Sequence, residues 1–248
     1  MPDVAQRFNR AAPSYDAHSV AQRHAAQRLA ERLVTLALPS RARVLEIGCG
    51  TGHLTALLTL RLPGATILAS DIAPAMVAAC RARLGTNTRL DFAVMDGAQP
   101  AVGGPFDLVC GNLVAQWFDD LPAAFSRLAA LLAPGGVLLL SVPGGETFLE
   151  WRAAHAAHGL KPGARPMPSR EASLAALPPG INQIETELWC APHADGLDFL
   201  RALRAIGADA PATGHVPLTP GQLRRVLRTL GPAPRLTYQF LYLTHRRR

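Results

Sequence analysis

The sequence predicts an α/β fold, a doubly wound and largely parallel sheet with helices on both faces, and three observations carry that expectation. Short apolar strands alternate with helical stretches from Arg43 to Val142, the pattern of consecutive strand–helix–strand units. The first strand runs straight into a glycine-rich turn, "VLEIGCGTG" at residues 44–52, and such sheets bind ligands at the carboxyl ends of their strands. A chain of 248 residues, 49% hydrophobic and 17% charged, can bury the core of one such domain with additions, or of two domains at most.

Taken in order, residues 1–40 read as a helical segment in which Leu29, Leu33 and Leu36 form one apolar face and Pro39 closes the run. The core, residues 41–142, then alternates: strand "RVLEIGC", helix "LTALLTLRL", strand "ATILASD", helix "PAMVAACRARL", strands "LDFAVMD" and "FDLVCGNL", helix "LPAAFSRLAALL", strand "GGVLLLSV". Residues 143–235 break the pattern with "GLKPGARPMPS" and "LPPG", and read as a cap or insertion holding helices around Asp198–Ile206 and Pro220–Leu230. The end, residues 236–248, places Tyr238, Phe240 and Tyr242 on one side of a period-two ladder, which predicts a final antiparallel strand at the sheet edge, followed by a basic tail.

Composition narrows the function classes. The formal charge of +7 suits an acidic partner, although Lys161 is the one lysine among 25 basic residues, a bias in residue usage as much as a binding signal. Cys49, Cys80, Cys110 and Cys190 are dispersed, so neither a disulfide framework nor a metal site is expected. The longest apolar run, "GGVLLLSVP", is too short to span a bilayer and no signal-type stretch opens the chain, which predicts a cytoplasmic protein without a membrane partner.

The chemistry concentrates in the turn. Glycines at 48, 50 and 52 let backbone approach a ligand closely, but the third glycine comes one residue before the place a dinucleotide fingerprint puts it, and His53 stands there instead. Asp71 closes the second strand, where a carboxylate accepts ribose hydroxyls. Asp96 and Gly97 end the third, suited to an adenine edge. Glu46, inside the first strand, favours a cofactor with positive charge over a pyrophosphate.

These residues resemble the ExGxGxG motif of the class I S-adenosylmethionine-dependent methyltransferases, met by Glu46, Gly48, Gly50 and Gly52. The resemblance runs from Arg43 to Val142 and implies a Rossmann-like sheet with S-adenosyl-L-methionine as cofactor. It places Gly48, Cys49 and Gly50 at the methionine part, Asp71 at the ribose, Ile72 and Met76 at the adenine face, Asp96 with Gly97 at the adenine edge, and Asn112 at the methyl-transfer mouth.

The flanks "FNRAAPSYDAHSVAQRHAAQRL", "GNLVAQWFDDLPAAFSRL", "LRALRAIGA", "LTPGQLRRV" and "RLTYQFLYL" are similar to the malonyl-acyl carrier protein O-methyltransferases of biotin synthesis. That family caps the free carboxylate of a malonyl thioester as a methyl ester. Such a carboxylate, with a pKa of about 4 or lower, is ionised at neutral pH and needs no general base; alignment and exclusion of water are what a protein can add. A desolvated carboxylate needs a cationic partner, for which Arg201 and Arg204 on one helix face are the candidates, and a solvated amphipathic face is the alternative reading. Tyr15 and His18 are candidates to close over the methyl donor, or else cap and pack. Gln116 and Trp117 are candidates for the acyl pocket, with Trp117 equally a core residue. Arg224, Arg225 and Arg228 form a helical stripe that suits an acidic acyl carrier protein or merely meets water.

Other readings stay open on sequence. "GGETFLEWR" resembles a related group that includes mitochondrial complex I assembly proteins and arginine hydroxylation, and a protein of this shape can bind the cofactor without transferring anything. A nicotinamide oxidoreductase has no use for Glu46. A nucleic-acid methyltransferase is favoured by charge but lacks a DPPY-like tetrapeptide after the fourth strand, where "GNLVAQW" stands, so no nucleic-acid partner is expected.

Overall fold

The computed structural model describes residues 2–212 and 214–248. Seven strands, β1 Arg43–Ile47, β2 Thr66–Asp71, β3 Leu90–Val94, β4 Phe106–Asn112, β5 Leu132–Pro143, β6 Ile181–Pro192 and β7 Arg235–Arg246, form one sheet in the order β3-β2-β1-β4-β5-β7-β6. Strands β1 to β5 pair in parallel, and β7 runs antiparallel to both β5 and β6. The helices are α1 Pro2–Ala11, α2 Tyr15–His18, α3 Val20–Arg32, α4 His53–Arg61, α5 Pro74–Leu84, α6 Leu121–Ala130, α7 Leu149–Ala156, α8 Arg170–Ala175, α9 Gly196–Ala205 and α10 Pro220–Leu230. Among the described residues no helix is long and apolar enough to cross a membrane.

Strand periodicity sorts the core into two layers. Val44, Leu108, Leu139 and Phe240 meet Leu29 of α3 and Leu54 and Leu58 of α4 on one face of the sheet, while Leu45, Val109, Leu138 and Leu241 meet Phe125 and Leu128 of α6 on the other. Successive residues of a strand point to opposite faces, so a strand covered on both sides reads as a continuous apolar run. A third cluster joins Trp151 of α7, Phe199 of α9 and Val226 of α10, a small core of its own beyond the carboxyl end of β5.

The final strand is antiparallel, as the ladder predicts, but it is not the edge. β6 pairs along β7 from Ile181↔Arg246 to Pro192↔Arg235, so the segment read as cap supplies a strand of the sheet. The reason it reads poorly is that "INQIETELWCAP" interleaves polar side chains and keeps few of its residues buried, as an outer strand can. The chain crosses from β3 past β2 and β1 to β4, which makes the carboxyl ends of β1 and β4 the topological switch point where ligands bind.

Candidate active site

The turn after β1 takes its shape from two glycines and one carboxylate. Gly48 has φ +65° and a Cβ there would lie 2.5 Å from Cγ2 of Val114; backbone in the left-handed region and a neighbour at contact both require glycine. Gly50 has φ +53°, and its N–H donates to Oδ2 of Asp71 at 2.9 Å, while Oδ1 accepts from the N–H of Ala73 at 2.9 Å. Asp71 thus ties the end of β2 to the turn. Burial holds its carboxyl above the ordinary range in spite of the hydrogen bonds from Ala73, Gly50 and Ile72 that favour the anion.

A cleft opens at this point. Gly48, Gly50, Asp71, Ile72, Met76, Asp96, Gly97 and Asn112 all line it, so eight of the sequence candidates for the cofactor converge on one space. Tyr15 lines it too, with its ring edge 3.9 Å from where a Gly50 Cβ would stand. The sequence reading lacked Val4 and Phe8 of α1 and Val114 and Phe118 after β4, which complete the walls; an amphipathic N-terminal helix was the available signal.

The described donor set fits a nucleoside with a polar edge. Two carboxylates stand at the ends of adjacent strands, and Oδ1 of Asp96 accepts from the N–H of Ala98 at 2.8 Å, which leaves its second oxygen for a ligand donor. Ile72, Met76 and Phe118 are the apolar faces a flat ring needs. Asn112 is committed on both sides of its amide: Nδ2 donates to the carbonyl of Gln22 at 3.0 Å and Oδ1 accepts from the Ser141 hydroxyl at 2.8 Å.

Other candidates lie elsewhere. Cys49 is buried among the core residues, and Gly52, at φ +93°, caps α4 against Cys80. Glu46 is fully enclosed, is not a wall of the cleft, and neither carboxyl oxygen has a hydrogen-bond partner. Burial pushes its pKa up to about 8, opposed by the Thr55 hydroxyl and reinforced by Cys80 and Asp71, so at neutral pH it is mostly a neutral acid. The carboxylate that the sequence set toward a positive cofactor is thus enclosed behind the turn and off the cleft wall.

His18 is exposed and does not reach the cleft. His53, the residue in the place of the dinucleotide glycine, staples the N-terminal segment to the turn: Arg83 Nη1 lies 3.1 Å from its Nδ1, and the Ser19 hydroxyl lies 2.8 Å from its Nε2. Burial lowers its pKa to about 4, so the ring is neutral.

A second, larger cavity of about 410 Å³ adjoins the cleft. Leu113 and Trp117 line both spaces. Gln116, Phe148, Trp151, Phe199 and Leu223 line the larger one, so the two acyl-pocket candidates, Gln116 and Trp117, share one cavity. Arg201 and Arg204 do not. Both are exposed, Arg201 with Nη2 3.7 Å from Asp195, because α9 turns Phe199, Leu200 and Leu203 inward, and the arginines occupy the opposite face. That apolar spacing was legible and placed them outside. The arginine that does line the cavity is Arg165, from the proline-rich loop before α8.

Comparison with known proteins agrees with this geometry. A methyltransferase-domain family model matches residues 21–232. The biotin biosynthesis bifunctional protein BioCD of Bordetella avium is 46% identical over 98% of this chain, which spans 52% of that longer protein. The malonyl-acyl carrier protein O-methyltransferase of Magnetococcus marinus is 40% identical over 96% of this chain and 90% of its own length. In fold, an N-methyltransferase of Haemonchus contortus solved with S-adenosylhomocysteine superposes with a TM-score of 0.54 at 17% identity, covering 90% of this chain and 53% of that one. The chain belongs to the methyltransferase-domain family, among its malonyl-acyl carrier protein O-methyltransferase members.

Proposed function

We infer that the chain is a cytoplasmic enzyme that transfers a methyl group from S-adenosyl-L-methionine to the free carboxylate of a malonyl thioester carried on acyl carrier protein, a step of biotin synthesis. The observation that carries this reading is the pair of adjoining spaces, one lined by the motif residues and the other apolar, with Trp117 and Leu113 common to both. When bound, the cofactor supplies a methyl group on a sulfonium sulfur. Gly48 and Gly50 would hold its methionine part, Asp71 the ribose, Ile72 and Met76 the adenine faces, Asp96 and Gly97 the adenine edge. Tyr15 and Phe8 would cover it.

The protein's own contribution is positional. The incoming carboxylate needs no proton removed, and two polar side chains of the cleft, Asn112 and Tyr15, are not placed as a base: the amide is committed to Gln22 and Ser141, and burial holds the Tyr15 hydroxyl well above its ordinary pKa. The apolar walls of the larger cavity would strip water from the nucleophile and restrict its orientation at the junction. Mass spectrometry of malonyl-acyl carrier protein incubated with the chain and S-adenosylmethionine tests this. One added methyl is the expected result; an unmodified carrier in the presence of cofactor binding refutes it.

The carrier would dock on α10. Leu223 of that helix lines the cavity, whereas Arg224, Arg225 and Arg228 are exposed and make no ion pair among the described residues. One helix therefore joins the cavity wall to a basic surface suited to an acidic protein. Arg224→Glu with Arg228→Glu should raise KM for the malonyl-carrier protein by about tenfold at low salt and less at high salt, with malonyl-coenzyme A unaffected. Equal losses on both substrates would remove the docking role.

A further inference from the structure

The geometry points to Arg165 as the residue that grips the substrate carboxylate and so selects a free acid at the methyl-transfer junction; this rests on the carboxylate transfer inferred above. Two charged side chains of fixed sign, Arg165 and Asp209, line the larger cavity. Asp209 is paired, with Oδ1 3.1 Å from Nη1 of Arg7, an arginine it shares with Asp3. Arg165 has no ion pair and no side-chain hydrogen bond among the described residues, and its guanidinium carbon lies 5.5 Å from the Trp117 ring centroid. It is half-buried, in a cavity whose other walls are mainly aromatic and aliphatic.

Position adds to charge. Trp117 is one of the two walls shared with the cofactor cleft, so a cation over its ring stands at the junction and not at the far end of the cavity. A carboxylate entering this space loses water and finds one unneutralised cation, whose planar fork matches its two oxygens. The amide of Gln22 lines the same cavity with a buried Oε1 that lacks a partner, and if that amide turns over it presents N–H to the same anion, whereas Gln116 is held by its Nε2 donating to the Leu113 carbonyl. Beyond them, Phe148, Trp151 and Leu218 offer an apolar channel for the thioester arm. The esterified product has no negative charge for Arg165 to hold, so the same residue that admits the acid releases the ester.

The test uses the full chain with malonyl-coenzyme A as probe. Arg165→Gln should raise KM about 30-fold or more, while S-adenosylhomocysteine binding by calorimetry and the melting temperature stay near the parent values. Arg165→Met, which keeps an apolar stem over Trp117, should do the same, so loss of packing is separated from loss of charge, and Arg165→Lys should recover part of the affinity. Competition supplies the second readout: the parent should bind the malonyl thioester far more tightly than its methyl ester, and Arg165→Gln should bind the two alike. An active parent whose Gln and Met variants keep both KM and this preference overturns the arginine and leaves the methyl transfer standing. A parent that binds S-adenosylhomocysteine but esterifies no malonyl thioester overturns both.

Discussion

Asp71→Ala is expected to weaken S-adenosylhomocysteine binding by roughly 100-fold and to lower folding stability by about 2 to 3 kcal/mol. The carboxylate does two things at once in the structure: it accepts the N–H groups of Gly50 and Ala73, and it lines the cleft, where the proposed function would set the ribose. Hydrogen bonds to a charged acceptor are each worth about 1.5 to 3 kcal/mol, and removing a buried carboxylate returns part of that because its desolvation disappears with it. The turn then loses its tie to β2 as well as its ligand contact. Calorimetry with S-adenosylhomocysteine and a denaturant melt measure the two parts separately. Binding unchanged in a folded Asp71→Ala chain would assign the ribose to another residue.

The second large effect is a pH dependence that Glu46 imposes on stability. The folded chain keeps a proton on this carboxyl up to about pH 8, while the unfolded chain releases it near the ordinary 4.5. Because the folded-state pKa is the higher, the contribution is complete below the unfolded value and is lost as pH rises from 4.5 to 8, with no further change above. The loss across that window is on the order of 3 to 5 kcal/mol. Glu46→Gln has the shape of the neutral acid and no proton to lose, so the difference between parent and variant stability should grow across the window in the variant's favour. Parallel stability curves from pH 4.5 to 8.5 would mean that the carboxyl is paired or hydrated in the folded chain.

How much was legible in the sequence follows from how local each signal is. The β1 turn, Asp71 and Asp96 declare themselves because glycine spacing and strand ends are written within a few residues, and the structure brings them to one cleft. Alternation likewise gave β7 as a strand, though not its place inside the sheet, and the shared face of Tyr238, Phe240 and Tyr242, whose rings pack in succession. β6 was not legible, since its polar, sparsely buried pattern acquires meaning only once β7 lies beside it. Arg165 was hidden for a different reason. Its place over Trp117 depends on the path of a proline-rich loop across the cavity, and no period of helix or strand encodes that path. Glu46 was legible as a motif residue but not in its surroundings, because enclosure is a property of the packed turn.

Trp117 gives the two spaces a common wall. Its indole borders the cleft and the larger cavity together, Phe8 of α1 meets it edge-on at 5.4 Å, and Arg165 lies over its ring. A ligand that shifts this ring alters the free energy of the other's binding, and thermodynamic reciprocity makes the two alterations equal: the factor by which cofactor tightens the thioester is the factor by which the thioester tightens cofactor. The first helix of the chain thus touches, through one shared side chain, a wall of a cavity it does not itself line.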